Sequence, residues 1–362
     1  MIQLTKDESK AITITKVICM LGVIYIHAAI KMYVDCSEDI NFYYDFLTRI
    51  LVSFSVPGFF WCSGFLFFMN YEGLNSYRRK LKSRFRGLGI PYLFWITLTL
   101  FVSWLIQDVF GFAKMFGAGN MKLIHDFSCM DVLCSYWNLR DGGPFLSTMW
   151  FLRDLMVCML FAPILFSLLR FGKYSLLFIL ALVMSSLHGI GFANIAFSSI
   201  LYFSMGGYIS INGINIFAIL KSKRYLVFVV AIILLVVYAS IYTENVDQRS
   251  VLYNLVQILF NMAMLLSMLQ IGHSICSKPI GEKMMLLSIP SYFIYLAHEP
   301  YMGYILQLIL KLFSHNSTIY SLVIVLIPIL YPIIIIGLFY MIFKIFRKYM
   351  PKLLSLAVGG KI

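Results

Sequence analysis

The 362-residue chain is 61% hydrophobic and only 12% charged, with a formal net charge of +13 and a mean hydropathy of +0.86. A soluble domain carries roughly 25% charged residues, so this chain has too few to coat a water-facing surface of its size. A soluble enzyme, a disordered regulator and a disulfide scaffold are excluded, and the composition is that of a polytopic membrane protein.

Ten apolar spans are predicted in chain order, at 12–31, 43–69, 89–107, 147–170, 174–191, 194–211, 225–242, 250–272, 284–310 and 318–343. The first is longer than a signal-peptide core and lacks a clean A-x-A site, so it reads as a retained helix. With the N-terminus in the cytoplasm, 20 of the 29 Lys and Arg residues fall on the cytoplasmic side, six on the outer side and three (Lys16, Arg49, Arg153) within spans. Positive residues belong inside, so both termini are expected to be cytoplasmic. The basic balance is therefore topology and does not point to nucleic acid. The expected fold is an all-α transmembrane helical bundle, one integral domain over 1–362 with no appended soluble domain. Cys36, Cys129 and Cys134 fall on the outer side, where a disulfide among them is chemically open but unassignable.

Ionisable residues inside spans are costly and mark candidate sites. In the first span, Lys16 and His27 lie eleven residues apart, within about 20° of three full turns and roughly 16 Å along the axis. A cation near the cytoplasmic mouth and a titratable base deeper on the same face outline a path for an anionic donor. The bland alternatives are a snorkelling Lys16 and an interhelical bond from His27. In the second span, Asp45 and Arg49 are spaced as a local ion pair. The loop after it, Tyr77–Arg86, has six basic residues in ten. These serve as headgroup anchors, as a phosphate-binding mouth, or as both. The segment 108–146 is long enough to form a lid or a short re-entrant element. In the fourth span, Arg153 and Asp154 are adjacent on a helix and are not expected to pair with each other. His188, at the end of the fifth span, reads as structural. In the ninth span, Ser291, Tyr295 and His298 share a face, Glu299 points about 100° away, and Pro300 is expected to kink the helix. No Walker A motif, GxSxG elbow, HExxH motif or metal-ligand spacing occurs, so no metal is expected.

Five stretches in order resemble the acyltransferase-3 family of integral membrane proteins. They are Lys16 with His27, against a cation-x10-His pattern; Ser55-Val-Pro-Gly-Phe-Phe-Trp-Cys-Ser-Gly-Phe-Leu66; the basic loop running into Gly89-Ile-Pro-Tyr-Leu-Phe-Trp95; Trp150-Phe-Leu-Arg-Asp-Leu155; and Phe293-Ile-Tyr-Leu-Ala-His-Glu-Pro300. Lys16 departs from the Arg usual in that family, keeping the charge and losing the planar fork. The resemblance implies transfer of an acyl group, most often acetyl from cytoplasmic acetyl-CoA, to a hydroxyl of a cell-surface or lipid-linked glycan outside a bacterial plasma membrane. It implies catalytic roles for His27, Glu299 and Arg153, and acyl-CoA binding by Lys16, Arg78, Arg79, Lys82, Arg84 and Arg86. Acceptor contacts fall to Trp150, Asp154, Tyr295 and His298. The rival reading is a transporter or flippase of a lipid-linked glycan or small acid, working without chemistry.

Overall fold

The computed structural model describes residues 3–28, 31, 37–110, 122–137, 144–192, 195–245, 250–299, 301–313 and 317–360. Helix α1 (Lys6–Ile26) opens on a capping box, with Thr5 Oγ1 accepting from the Glu8 amide at 3.2 Å and Glu8 Oε2 accepting from the Thr5 amide at 2.7 Å. Both orphan donors of the first turn are thereby satisfied. Helix α2 (Glu38–Asp45) continues through a wide turn at Phe46–Ile50 towards α3 (Ser55–Phe68). The basic α4 (Leu74–Arg84) continues through Phe85–Gly89 into α5 (Ile90–Trp104). A short α6 (Cys129–Tyr136) is followed by α7 (Trp150–Leu160) and α8 (Ala162–Arg170), which meet at 62°. Pro163 supplies the cause of that bend, since its ring excludes the carbonyl of the residue four positions back.

Helix α9 (Gly172–Leu187) leads through the two-residue strands β1 (Gly191–Phe192) and β2 (Ile195–Ala196), an antiparallel pair, into α10 (Phe197–Ile211). A 95° turn, with Gly213 at φ +70, leads to α11 (Ile216–Ser222). The chain closes with α12 (Arg224–Ser240), α13 (Val251–Ile275), α14 (Pro279–Ala297), α15 (Tyr301–Phe313), α16 (Ser317–Tyr349) and α17 (Pro351–Ala357). Each predicted span contains helix among the described residues, although the fifth ends and the sixth begins in the β1–β2 pair. Among the described residues, five continuous helical stretches (6–26, 38–68, 74–109, 251–275 and 319–349) are long and apolar enough to cross a membrane, or seven if each bent pair counts once. The remainder are shorter, as in α12 and the apolar part of α9, or broken, as the ninth span is between Ala297 and Tyr301. Pro300, expected to kink that span, lies outside the described residues.

Close packing centres on α3 against α10. A Cβ on Gly64 would sit 1.9 Å from the Phe203 carbonyl oxygen, and one on Gly206 would sit 2.0 Å from that of Trp61. Small residues let two backbones touch where no aqueous hydrophobic force drives helices together. Around this seam, Phe60, Phe65, Phe67 and Phe203 are almost fully buried.

The described part of the long 108–146 segment runs alongside α5. The Ile124 amide donates to Gln107 Oε1 at 2.8 Å near the end of the α5 segment, while Tyr92 near its start donates to the Tyr136 carbonyl. Fifteen residues of helix separate Gln107 from Tyr92, so the segment descends by roughly 22 Å alongside α5. Cys129 and Cys134 are free thiols, so no disulfide joins them, and Cys36 lies outside the described residues.

Candidate active site

Helix breaks assemble the centre of the site. His27 caps the C-terminus of α1, and His298 and Glu299 follow the last residue of α14. Two neighbours on an intact helix would diverge by about 100°. At the helix end, where His298 still donates its amide to the Ile294 carbonyl and Glu299 lies just beyond, both reach His27: Glu299 Oε1 lies 3.5 Å from His27 Nδ1, and the His27 and His298 rings meet edge-on with centroids 5.1 Å apart. Catalytic hydrogen bonds are commonly long before substrate arrives. A carboxylate that closes on Nδ1 would fix the imidazole tautomer and leave Nε2 free to accept a proton. His298 Nδ1 donates to the Tyr295 carbonyl at 2.7 Å, so its buried Nε2 is left as an acceptor without a partner among the described residues. A buried lone acceptor of this kind marks a place where a ligand proton can go. The same three residues could hold a metal ion, with their ligand atoms all within 4.8 Å of one another. Bonds of 2.0–2.1 Å to zinc would require them to close to about 3.3 Å.

Beneath this centre lies a cavity of about 290 Å³. Its wall on α14 is Ser288, Ser291, Tyr292 and Tyr295, and Phe59 and Phe151 face them. Lys16 and Arg84 both line it. Tyr295 bridges cavity and centre: its hydroxyl donates to the Thr148 carbonyl at 2.8 Å, and its ring lies 6.1 Å from that of His298. The Tyr292 hydroxyl donates to the Gly87 carbonyl at 3.0 Å, anchoring the cavity wall to the end of the basic segment.

The basic residues divide by position. Arg84 lines the 290 Å³ cavity and, with Arg78 and Lys82, a more apolar cavity of about 620 Å³ against Trp137 and Tyr92. Arg79 and Arg86 are exposed and line neither. Lys80, the remaining cation of the cluster, caps α3 by donating to the Phe67 and Met69 carbonyls at 2.9 and 2.6 Å.

Arg153 and Asp154 do pair, against expectation. Arg153 Nε and Nη2 donate to Asp154 Oδ1 at 3.0 and 2.9 Å, and both residues are almost fully buried. The long guanidinium arm folds back along the helix, because a buried carboxylate without a partner costs far more than a bent rotamer. Asp154 Oδ2 also accepts from Ser199 Oγ at 3.2 Å, and the guanidinium stacks over Trp137 at 6.0 Å. Among the described ion pairs, Arg153 goes with Asp154 and Glu299 with His27. Trp150, one residue before Phe151, lines a separate polar pocket of about 240 Å³. The Asp45–Arg49 pair also grows beyond expectation: Lys31 lies 2.5 Å from Asp45 and 3.2 Å from Glu244, which in turn lies 3.4 Å from Arg49.

A sequence model describing an acyltransferase domain, that of acyltransferase 3, matches residues 9–342. The chain belongs to the acyltransferase-3 family. Its apolar helices make it a multi-pass membrane protein. The succinoglycan biosynthesis protein ExoH of Rhizobium meliloti (strain 1021) is 26% identical over 216 residues, 58% of this chain and 56% of ExoH. The chain thus spans about half the length of that curated relative. No solved structure matches. The sequence reading of this family member missed Ser63, Ser288 and Tyr292, whose hydroxyls carry no charge to single them out. It also missed Asn254, Gln257 and Asn261 in α13, although three amides spaced by three and four in an apolar helix are a legible polar stripe.

Proposed function

We propose that the protein transfers an acyl group, acetyl in the first instance, from cytoplasmic acyl-CoA to a hydroxyl of a cell-surface or lipid-linked glycan on the outer side of a bacterial plasma membrane. The observation that carries this is the Glu299–His27–His298 cluster standing over a cavity that Lys16 and Arg84 line. The similarity to a succinoglycan biosynthesis protein supports a polysaccharide as the acceptor class. Lys16 and Arg84, with Arg78 and Lys82 beside them, suit the phosphates of CoA. The cavity suits the slim pantetheine arm and brings a thioester towards His27.

In the direct form of the reaction, His27 Nε2 takes the proton of the acceptor hydroxyl as its oxygen attacks the thioester carbonyl carbon. The C–O bond forms, the C–S bond breaks, and the proton leaves on the CoA sulfur. Glu299 stabilises the imidazolium that forms in between. The surrounding bundle excludes water that would otherwise hydrolyse the thioester. A thioester has a good leaving group, so neither ATP nor a metal is called for.

The test uses purified protein in detergent with radiolabelled acetyl-CoA, comparing wild type with His27→Ala. Loss of a general base costs about 10²- to 10⁴-fold, so transfer or slow thioester hydrolysis should fall by that factor while the thermal transition is unchanged. Folded wild-type protein that engages neither acetyl-CoA nor longer acyl-CoAs overturns the proposal in favour of transport.

A further inference from the structure

The 240 Å³ pocket beside Trp150 has a chemistry unlike the rest of the bundle. It is lined by the three amides of α13, Asn254, Gln257 and Asn261, by Tyr202 and Trp150, and by serines that include Ser198. No Lys, Arg, Asp or Glu lines it among the described residues. Ser199 of the lining donates to Asp154, whose charge is paired with Arg153. The amides are held from behind: Asn254 Nδ2 donates to the Leu187 carbonyl at 2.8 Å, Gln257 Nε2 to the Tyr238 hydroxyl at 2.7 Å, and Asn261 Oδ1 accepts from Ser53 Oγ at 2.7 Å. Their fixed orientation leaves Asn254 Oδ1 and Gln257 Oε1 as acceptors, and Trp150 Nε1 as a donor, without partners among the described residues.

A pocket of preset neutral acceptors beside an indole suits a ligand that is uncharged and rich in hydroxyl donors. We propose that it seats one neutral sugar ring of the acceptor. Its volume, below the roughly 300–1,000 Å³ of drug-sized sites, suits a single ring. Its position fits as well. Phe60 lines the pocket and packs 4.7 Å from Phe151, which lines the donor cavity, so one aromatic layer separates the two. The bound ring is therefore a neighbour of the reacting sugar, and contributes binding energy at a distance from the chemistry.

This inference rests on the proposed acyl transfer, and its test separates the two. Saturation-transfer NMR on the full protein in detergent uses methyl β-D-glucopyranoside and methyl β-D-galactopyranoside as probes, with glucuronate as the charged counterpart. Acetyl-CoA binding is measured on the same samples. Wild type should transfer saturation to a neutral glycoside and not to glucuronate. Asn254→Leu and Gln257→Leu should each weaken glycoside binding at least tenfold, with acetyl-CoA binding intact. Trp150→Phe, which keeps the ring and removes the N–H, should weaken it less. No glycoside binding by wild type that binds acetyl-CoA, or binding unchanged in both Leu variants, overturns the pocket and leaves the proposed reaction standing. Glycoside binding that the Leu substitutions abolish, in protein that never binds acyl-CoA, upholds the pocket and overturns the reaction.

Discussion

Glu299 sits 3.5 Å from His27 Nδ1, and its work on that ring is separable from its work in the fold. Glu299→Gln keeps the shape and removes the charge, so kcat should fall by about 10²-fold with the KM for acyl-CoA and the melting temperature unchanged. A variant that loses activity only in parallel with stability would make Glu299 a packing residue. Arg153 behaves in the opposite way. Breaking its buried pair in Arg153→Ala should destabilise the protein by about 3–5 kcal/mol, whereas replacing both partners with Met and Leu should recover most of that. Detergent-solution melting of the single and double variants reads it directly. Recovery of folding together with activity would show that the guanidinium takes no part in the reaction. The sequence located both residues as costly intramembrane charges. Their partners were not legible, because the pairing depended on where α14 stops and on how the arginine arm folds back.

The element that holds the two halves of the site in register is the α3–α10 seam. Phe59 and Phe60 on α3 form the aromatic layer between the cavities, and Tyr202 on α10 lines the polar pocket. Gly206→Ala would drive a Cβ to 2.0 Å from the Trp61 backbone oxygen. Backbone cannot yield as a side chain can, so the helices must part, at a cost of about 1–3 kcal/mol or more. The expected outcome is a lower melting temperature with a parallel loss of acyl-CoA and glycoside binding. A fully stable Gly206→Ala would show that the seam tolerates a wider spacing. The glycines of Ser-Gly-Phe-Leu66 and of α10 are visible in the sequence, but which helix each one meets is not.

Across the whole molecule, the basic segment is the feature whose role the fold divides. Lys16 and Arg84 line the donor cavity, while Arg79 and Arg86 face outward. A charge-assisted hydrogen bond contributes about 1.5–3 kcal/mol, so Lys16→Ala and Arg84→Ala should each raise the KM for acyl-CoA about tenfold or more. Arg79→Ala and Arg86→Ala should leave it within about twofold. Equal effects at all four would assign the segment to bulk electrostatics at the membrane surface. The sequence by itself determined the solvent and the helices, because apolar length is a local quantity that the bilayer reads directly. It also marked Lys16, His27, Arg153, His298 and Glu299, since a charge within a span stands out without any knowledge of its neighbours. Only the tertiary structure decided that Glu299 lies beside His27 while Arg153 pairs with Asp154, and that three neutral amides on α13 line a common cavity. Those outcomes depend on contacts between residues far apart in the chain, which helical periodicity alone does not specify.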